Sequence, residues 1–128
     1  EVKLGIIPAV ISPYVIEAVG ARHARRYFVT AERFSGADAW RMGLLHEIAD
    51  DADAMDARID ALCNAMLGNG PRAITAAKNL TQAVALRPID DELMEDTVER
   101  IAQIRATAEA REGITAFLLK QKPAWIKE

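Results

Sequence analysis

The sequence predicts a mostly α-helical chain with one or two short strands, and three observations carry that prediction. Apolar residues recur at steps of three and four through most of the chain, which is the helical period. Of 128 residues, 51% are hydrophobic but only 5% aromatic, and much of the apolar set is alanine, a mix that suits closely packed helices rather than a large aromatic core. Glycines and prolines fall between the periodic stretches, where helices end and begin.

Taken in order, Val2 to Ile7 alternates weakly and is interrupted by Gly5, and Pro8 disfavours helix at the residue before it, so a short strand is expected there. A lone strand cannot satisfy its own backbone groups. Its partners are therefore expected upstream, in residues this chain does not contain. Ser12-Pro13 reads as a helix start, the hydroxyl accepting from a free backbone N–H and proline occupying the first helical position. That helix carries Tyr14, Val15, Ile16, Ala18 and Val19, bends at Gly20, and is followed by a second over Ala21 to Thr30. Ser35 with Asp38 has the form of a capping box, and Gly43 that of a left-handed terminus. Leu44 to Ile48 is expected as a second short strand or an extended link.

The acidic residues Asp50, Asp51, Asp53 and Asp56 suit the positive end of the next helix, whose apolar stripe is Ala52, Met55, Ile59, Leu62 and Met66. Cys63 falls within that helix and is expected to be a buried small hydrophobe. Pro71 opens a helix running to about Leu86 with Ile74, Ala77, Leu80 and Val84 on one side. Asp90 or Asp91 caps a longer one with Met94, Val98, Ile101 and Ile104. Thr107 with Glu109 marks another boundary. Ile114, Phe117 and Leu118 then lead into the basic, proline-interrupted tail Lys120-Gln121-Lys122-Pro123-Ala124-Trp125.

Composition excludes several classes of function. A net charge of -3 with 16 basic and 19 acidic side chains interspersed gives no field that predicts nucleic acid or an acidic membrane as partner. One cysteine and two histidines form neither an internal disulfide nor a zinc pattern, so no metal is expected. No apolar run reaches membrane-span length and no signal-peptide core is visible, so a cytoplasmic protein is expected.

Five segments, in order, carry a family resemblance. Glu1-Val2-Lys3-Leu4-Gly5-Ile6-Ile7-Pro8 resembles the "PE-x-x-LG-x-x-P" signature of the crotonase superfamily, the enoyl-CoA hydratases and isomerases, beginning at its glutamate. Ala21 to Thr30 resembles the family's next helix, and Ala37 to Leu44 its "A-x-x-A-x-x-x-GL" segment. Gly70-Pro71 to Lys78 resembles "GP-x-A-x-x-x-x-K", and Glu112 to Lys120 resembles "EG-x-x-AF-x-x-K".

The resemblance implies that the chain is the C-terminal part of the α/β crotonase (ClpP/crotonase-like) fold. Residues 1–49 would close the core and wall the active site, and residues 50–128 would form a helical oligomerisation region. It implies an acyl-CoA substrate, with no cofactor beyond the coenzyme A that carries it. The implied roles are a catalytic Glu1, delivering a proton to C2, and Leu4 and Ala9 against the substrate, with the Ala9 N–H helping to hold water. Phe117 and Lys120 would lie near the adenine and phosphates of CoA. The missing N-terminal half would supply the other glutamate and the oxyanion-hole donors, so the chain alone is expected to be inactive. A homotrimer or hexamer is implied as well. The run Ala9-Val10-Ile11-Ser12-Pro13-Tyr14 departs from the usual glycine-rich continuation and resembles the branch that hydrates 3-methylglutaconyl-CoA-like substrates.

Bland readings stand beside these. A terminal glutamate is ordinarily a solvated charge, Phe117 a core residue, Lys120 part of a solvated basic end, and His23 and His46 surface residues. Two alternatives remain open: an isomerase of the same superfamily, and a non-catalytic helical oligomerisation module.

Overall fold

Six α-helices and one 3₁₀ turn make up the regular structure of residues 1–126, the part of the chain that the computed structural model describes. The 3₁₀ turn is Val2–Leu4, followed by α1 (Ser12–Thr30), α2 (Gly36–Arg41), α3 (Ala52–Leu67), α4 (Pro71–Val84), α5 (Asp91–Arg105) and α6 (Ala108–Leu118).

The expected strands are absent among the described residues. Val2 to Leu4 coils into the 3₁₀ turn, with the Leu4 N–H donating to the Glu1 carbonyl at 2.8 Å. Leu44 to Ile48 is turn and bend. The physical reason is the one anticipated for a lone strand: with no neighbouring strand to pair with, backbone groups close on themselves locally.

The chain packs as two units, Glu1–Asp56 and a second from Ala57 onward. In the first, α1 is two helices joined at Gly20, whose φ of 76° and ψ of 155° lie in a region open essentially to glycine alone. Pro13 sits in the first turn as expected, but Ser12 does not cap it. Its hydroxyl donates instead to the Ala9 carbonyl at 2.9 Å. Ser35 and Asp38 do form the capping box that opens α2, and Gly43 takes the left-handed conformation. The Ser35 hydrogen bonds, hydroxyl first and then backbone, hold the Asp38 carboxyl below its ordinary pKa, with Arg41 assisting. Val19, Ala24 and Ala39 are buried, and Tyr27 meets Phe34 edge-on at 4.9 Å.

In the second unit α5 packs against both α4 and α6. Leu93 and Ala116 are its buried apolar side chains among the described residues. Asp90 caps α5 and Thr107 caps α6, each accepting from a backbone N–H three residues on. One contact joins elements far apart in sequence: the Glu109 carboxylate, in the first turn of α6, accepts from the N–H groups of Arg72 and Ala73 at 3.0 and 2.9 Å. It thereby satisfies two of the free donors at the start of α4. Asp96 receives Arg100 at 2.8 Å and Arg87 at 2.9 Å.

The apolar stripes are present but uncovered. Met55, Ile59, Leu62 and Met66 of α3 are 46–50% exposed, and Met94, Val98 and Ile101 of α5 also face solvent. Cys63, expected to be buried, is exposed: it lines an open apolar cavity with Met66, Leu67 and Trp125.

Candidate active site

Residues 1–11 form an arm built almost wholly from local backbone bonds. The Glu1 carbonyl accepts from Leu4 and, at 3.3 Å, from Ile6, and Gly5 donates to Val2 at 3.1 Å. Gly5 can close this turn because its φ is 76°. Pro8 then sits at the centre of a three-residue turn in which the Ala9 N–H donates to the Ile7 carbonyl at 2.8 Å.

This arrangement leaves the Glu1 side chain exposed, with no hydrogen-bond or ion-pair partner among the described residues. Among the described residues no hydrogen bond or ion pair fixes its orientation. Leu4 is also exposed. Ala9 lines a cavity of about 380 Å³ with Val2, Ile7, Pro8, Ser12, Phe28 and Val29, where the Ser12 hydroxyl is the one side-chain polar group. Glu1 and Leu4 lie outside that lining. The Ala9 N–H is already engaged with Ile7, so a water held there would have to share it.

In the second unit, Phe117 and Lys120 stand at the end of α6. Phe117 is 81% exposed, which overturns its reading as a core residue. Helix α6 closes with the Lys120 N–H on the Phe117 carbonyl at 3.2 Å and the Gln121 N–H on the Ala116 carbonyl at 2.8 Å. Lys120 takes the left-handed position, φ 54°, that glycine usually holds in such a terminus. Its ammonium has no carboxylate partner among the described residues.

Three contacts were not legible in the sequence. In the sequence Glu109 marks only a helix boundary, yet in the structure it bonds to residues 36 and 37 positions away. The Ala124 N–H donates to the Glu112 carboxylate at 2.5 Å, and the Trp125 indole N–H reaches the Gly68 carbonyl at 3.4 Å. The isolated tryptophan in the tail was the one available signal. Among the described residues, no cluster of His, Cys, Asp and Glu could hold a metal ion, and no helix is long and apolar enough to cross a membrane.

Known proteins resemble this chain over nearly all of its length. The family model described as Enoyl-CoA hydratase/isomerase matches residues 1–128. An enoyl-CoA hydratase of Alternaria alternata is 31% identical over 123 residues, covering 95% of this chain and 41% of its own length. Among solved structures, an enoyl-CoA hydratase from Shewanella pealeana superposes with a TM-score of 0.87 at 45% identity, covering 98% of this chain and 46% of that one. Pseudomonas aeruginosa AtuE superposes with a TM-score of 0.90 at 37% identity, covering 99% and 49%. The chain thus spans somewhat less than half the length of these proteins.

Proposed function

The chain belongs to the enoyl-CoA hydratase/isomerase family, and from that premise we propose that the whole protein adds water across the C2–C3 double bond of an acyl-CoA thioester. The observation that supports this reading is the run from Glu1 to Pro8, which resembles the family's signature from its glutamate onward and leaves that carboxylate exposed and unpartnered among the described residues.

In this reading a carboxylate base in the remainder of the protein takes a proton from water as the water oxygen bonds to C3, the π electrons move toward the thioester oxygen, and a second proton is delivered to C2. Glu1 delivers that proton, the role of a positioned general acid. The charge gathering on the thioester oxygen needs backbone donors, and these, with the second carboxylate, belong to the remainder of the protein. Leu4 and Ala9 border the acyl group. Phe117 stacks near the adenine, and Lys120 offers an ammonium to a phosphate. The chain alone is inactive, and the remainder of the protein is its first partner. A trimer or hexamer assembled through the uncovered helical faces, in the cytoplasm, completes the proposal. The run Ala9 to Tyr14 favours a branched substrate resembling 3-methylglutaconyl-CoA.

One observation favours a second reading, double-bond isomerisation. An isomerase needs a glutamate to move a proton but no water, and the Ala9 N–H that would help to hold a water already donates to Ile7.

The test is to join or mix the chain with the remainder of the protein. Crotonyl-CoA and 3-methylglutaconyl-CoA would be assayed for hydration, and a 3-enoyl-CoA for isomerisation. Glu1→Gln should lower kcat by roughly 10²–10⁴-fold, the range of a general acid, with KM almost unchanged. Unchanged turnover would remove Glu1 from the mechanism. Isomerisation without hydration would select the second reading.

A further inference from the structure

The C-terminal tail turns back along α6 and is held there at two points. Residues 119 to 121 close the helix as described, with Lys120 in the left-handed position. From that turn the chain must return to Glu112, eight residues back along α6. Eight residues of helix rise about 12 Å, and four steps of extended chain at about 3.3–3.6 Å each cover that distance. Residues 121–123 make that return into a turn at Ala124–Trp125, leaving a cavity of about 320 Å³ between tail and helix, and the Ala124 N–H then meets the Glu112 carboxylate.

Beyond that bond Trp125 lies over Gly113. A Cβ at Gly113 would stand 2.9 Å from the indole Cη2, so only glycine admits the ring in its present seat. The indole N–H reaches Gly68, and the ring borders an apolar cavity of about 390 Å³ with Met66, Leu67, Pro71 and Ile74. The tail is therefore tied to α6 and to the residues between α3 and α4.

We infer that Glu112, Gly113 and Trp125 form a latch that fixes the tail and thereby holds Lys120 at the position from which it reaches a phosphate of the CoA carrier. A non-glycine residue in the left-handed region persists where its surroundings over-determine it. Here the helix closure constrains Lys120 from one side and the latched tail constrains it from the other. Glu112 and Trp125 are positioning residues: they touch no substrate and act through Lys120. The inference rests on the assignment of Lys120 as a CoA contact, and the experiment separates the two.

In the whole protein, Lys120→Ala should raise KM for the enoyl-CoA by about ten- to a hundredfold, the scale of a lost charge-assisted hydrogen bond, with kcat held. Glu112→Ala and Trp125→Ala should each raise KM by a smaller factor, about three- to tenfold on the same scale, again with kcat held, while Trp125→Phe restores most of the affinity. In the Lys120→Ala background neither latch variant should add a further increase.

If Lys120→Ala leaves KM unchanged, the assignment of Lys120 fails. If it raises KM while both latch variants do not, the latch fails and the assignment stands. Equal increases with and without Lys120 would also overturn the latch, because the tail would then act by another route. Should Glu112→Ala not fold, the Trp125→Ala and Trp125→Phe pair decides alone.

Discussion

The arm at one end of the chain and the tail at the other are both non-helical and both carry residues assigned to the site, yet they are held by different means. The backbone hydrogen bonds of the arm connect residues within five positions, from Glu1 to Ile6 at the widest. The tail is tied by bonds spanning 12 and 57 positions. A local bond resists only local fraying, whereas a bond between distant elements breaks only when those elements separate. The arm is thus held by short-range bonds and by the apolar cavity that Val2, Ile7, Pro8 and Ala9 line with Phe28 and Val29 of α1, and the tail by hydrogen bonds to distant residues. Glu1, the residue proposed to carry the chemistry, stands on the segment without such distant bonds.

The sharpest way to break that contrast is amide hydrogen exchange on the chain alone. The Ala124 amide should exchange roughly ten- to a hundredfold more slowly than the Ile6 amide, the scale of one charge-assisted bond. Equal rates would dissolve the distinction. Addition of the remainder of the protein should slow the arm and leave the tail nearly unchanged.

A smaller effect concerns the other distant bond in the second unit. Glu109→Ala should cost about 1–2 kcal/mol in urea unfolding, as loss of a helix cap does. Gly70→Ala should cost a similar amount by a different route, since its Cβ would stand 2.5 Å from the Glu109 Oε1 and displace the carboxylate. The double variant should cost little more than either alone. Full additivity would mean that the two residues do not act through one contact.

The smallest expected effect is in acid. Asp96 is held below the ordinary aspartate value by its hydrogen bond from Arg100 and then by Arg87, with burial opposing. A lowered folded-state value means the unfolded chain binds the proton more readily. The stabilisation is complete above about pH 4, the unfolded value, and is lost as pH falls through the folded one. Asp96→Asn should flatten the acid limb of a thermal-unfolding profile, and an unaltered limb would show that the Arg87–Asp96–Arg100 group contributes nothing to it.

Legibility in the sequence followed the range of the interaction. Helix starts at Pro71, Asp90 and Thr107, the Ser35–Asp38 box and the bend at Gly20 were all readable, because a cap or a break is decided within four residues. The strand expected at Val2 is not realised, since extended backbone needs a partner and the described residues provide none. The spacing in α3 identifies a face but not its burial, because burial depends on what covers the face. At the site, Glu1 could be singled out from its motif, whereas Glu109, Glu112 and Trp125 act on residues that no sequence window connects to them.

The Trp125 contact also sets an order of events in the making of the protein. Gly68 and the apolar residues around it are synthesised 57 positions before the indole that reaches them. At about 5–20 residues per second that interval is roughly 3–11 s, long compared with the microseconds in which α3 and α4 can form. Those helices thus wait, with their shared corner open, for the last piece that ties it. A chaperone or a wrong neighbour has its opportunity there, before the tail arrives.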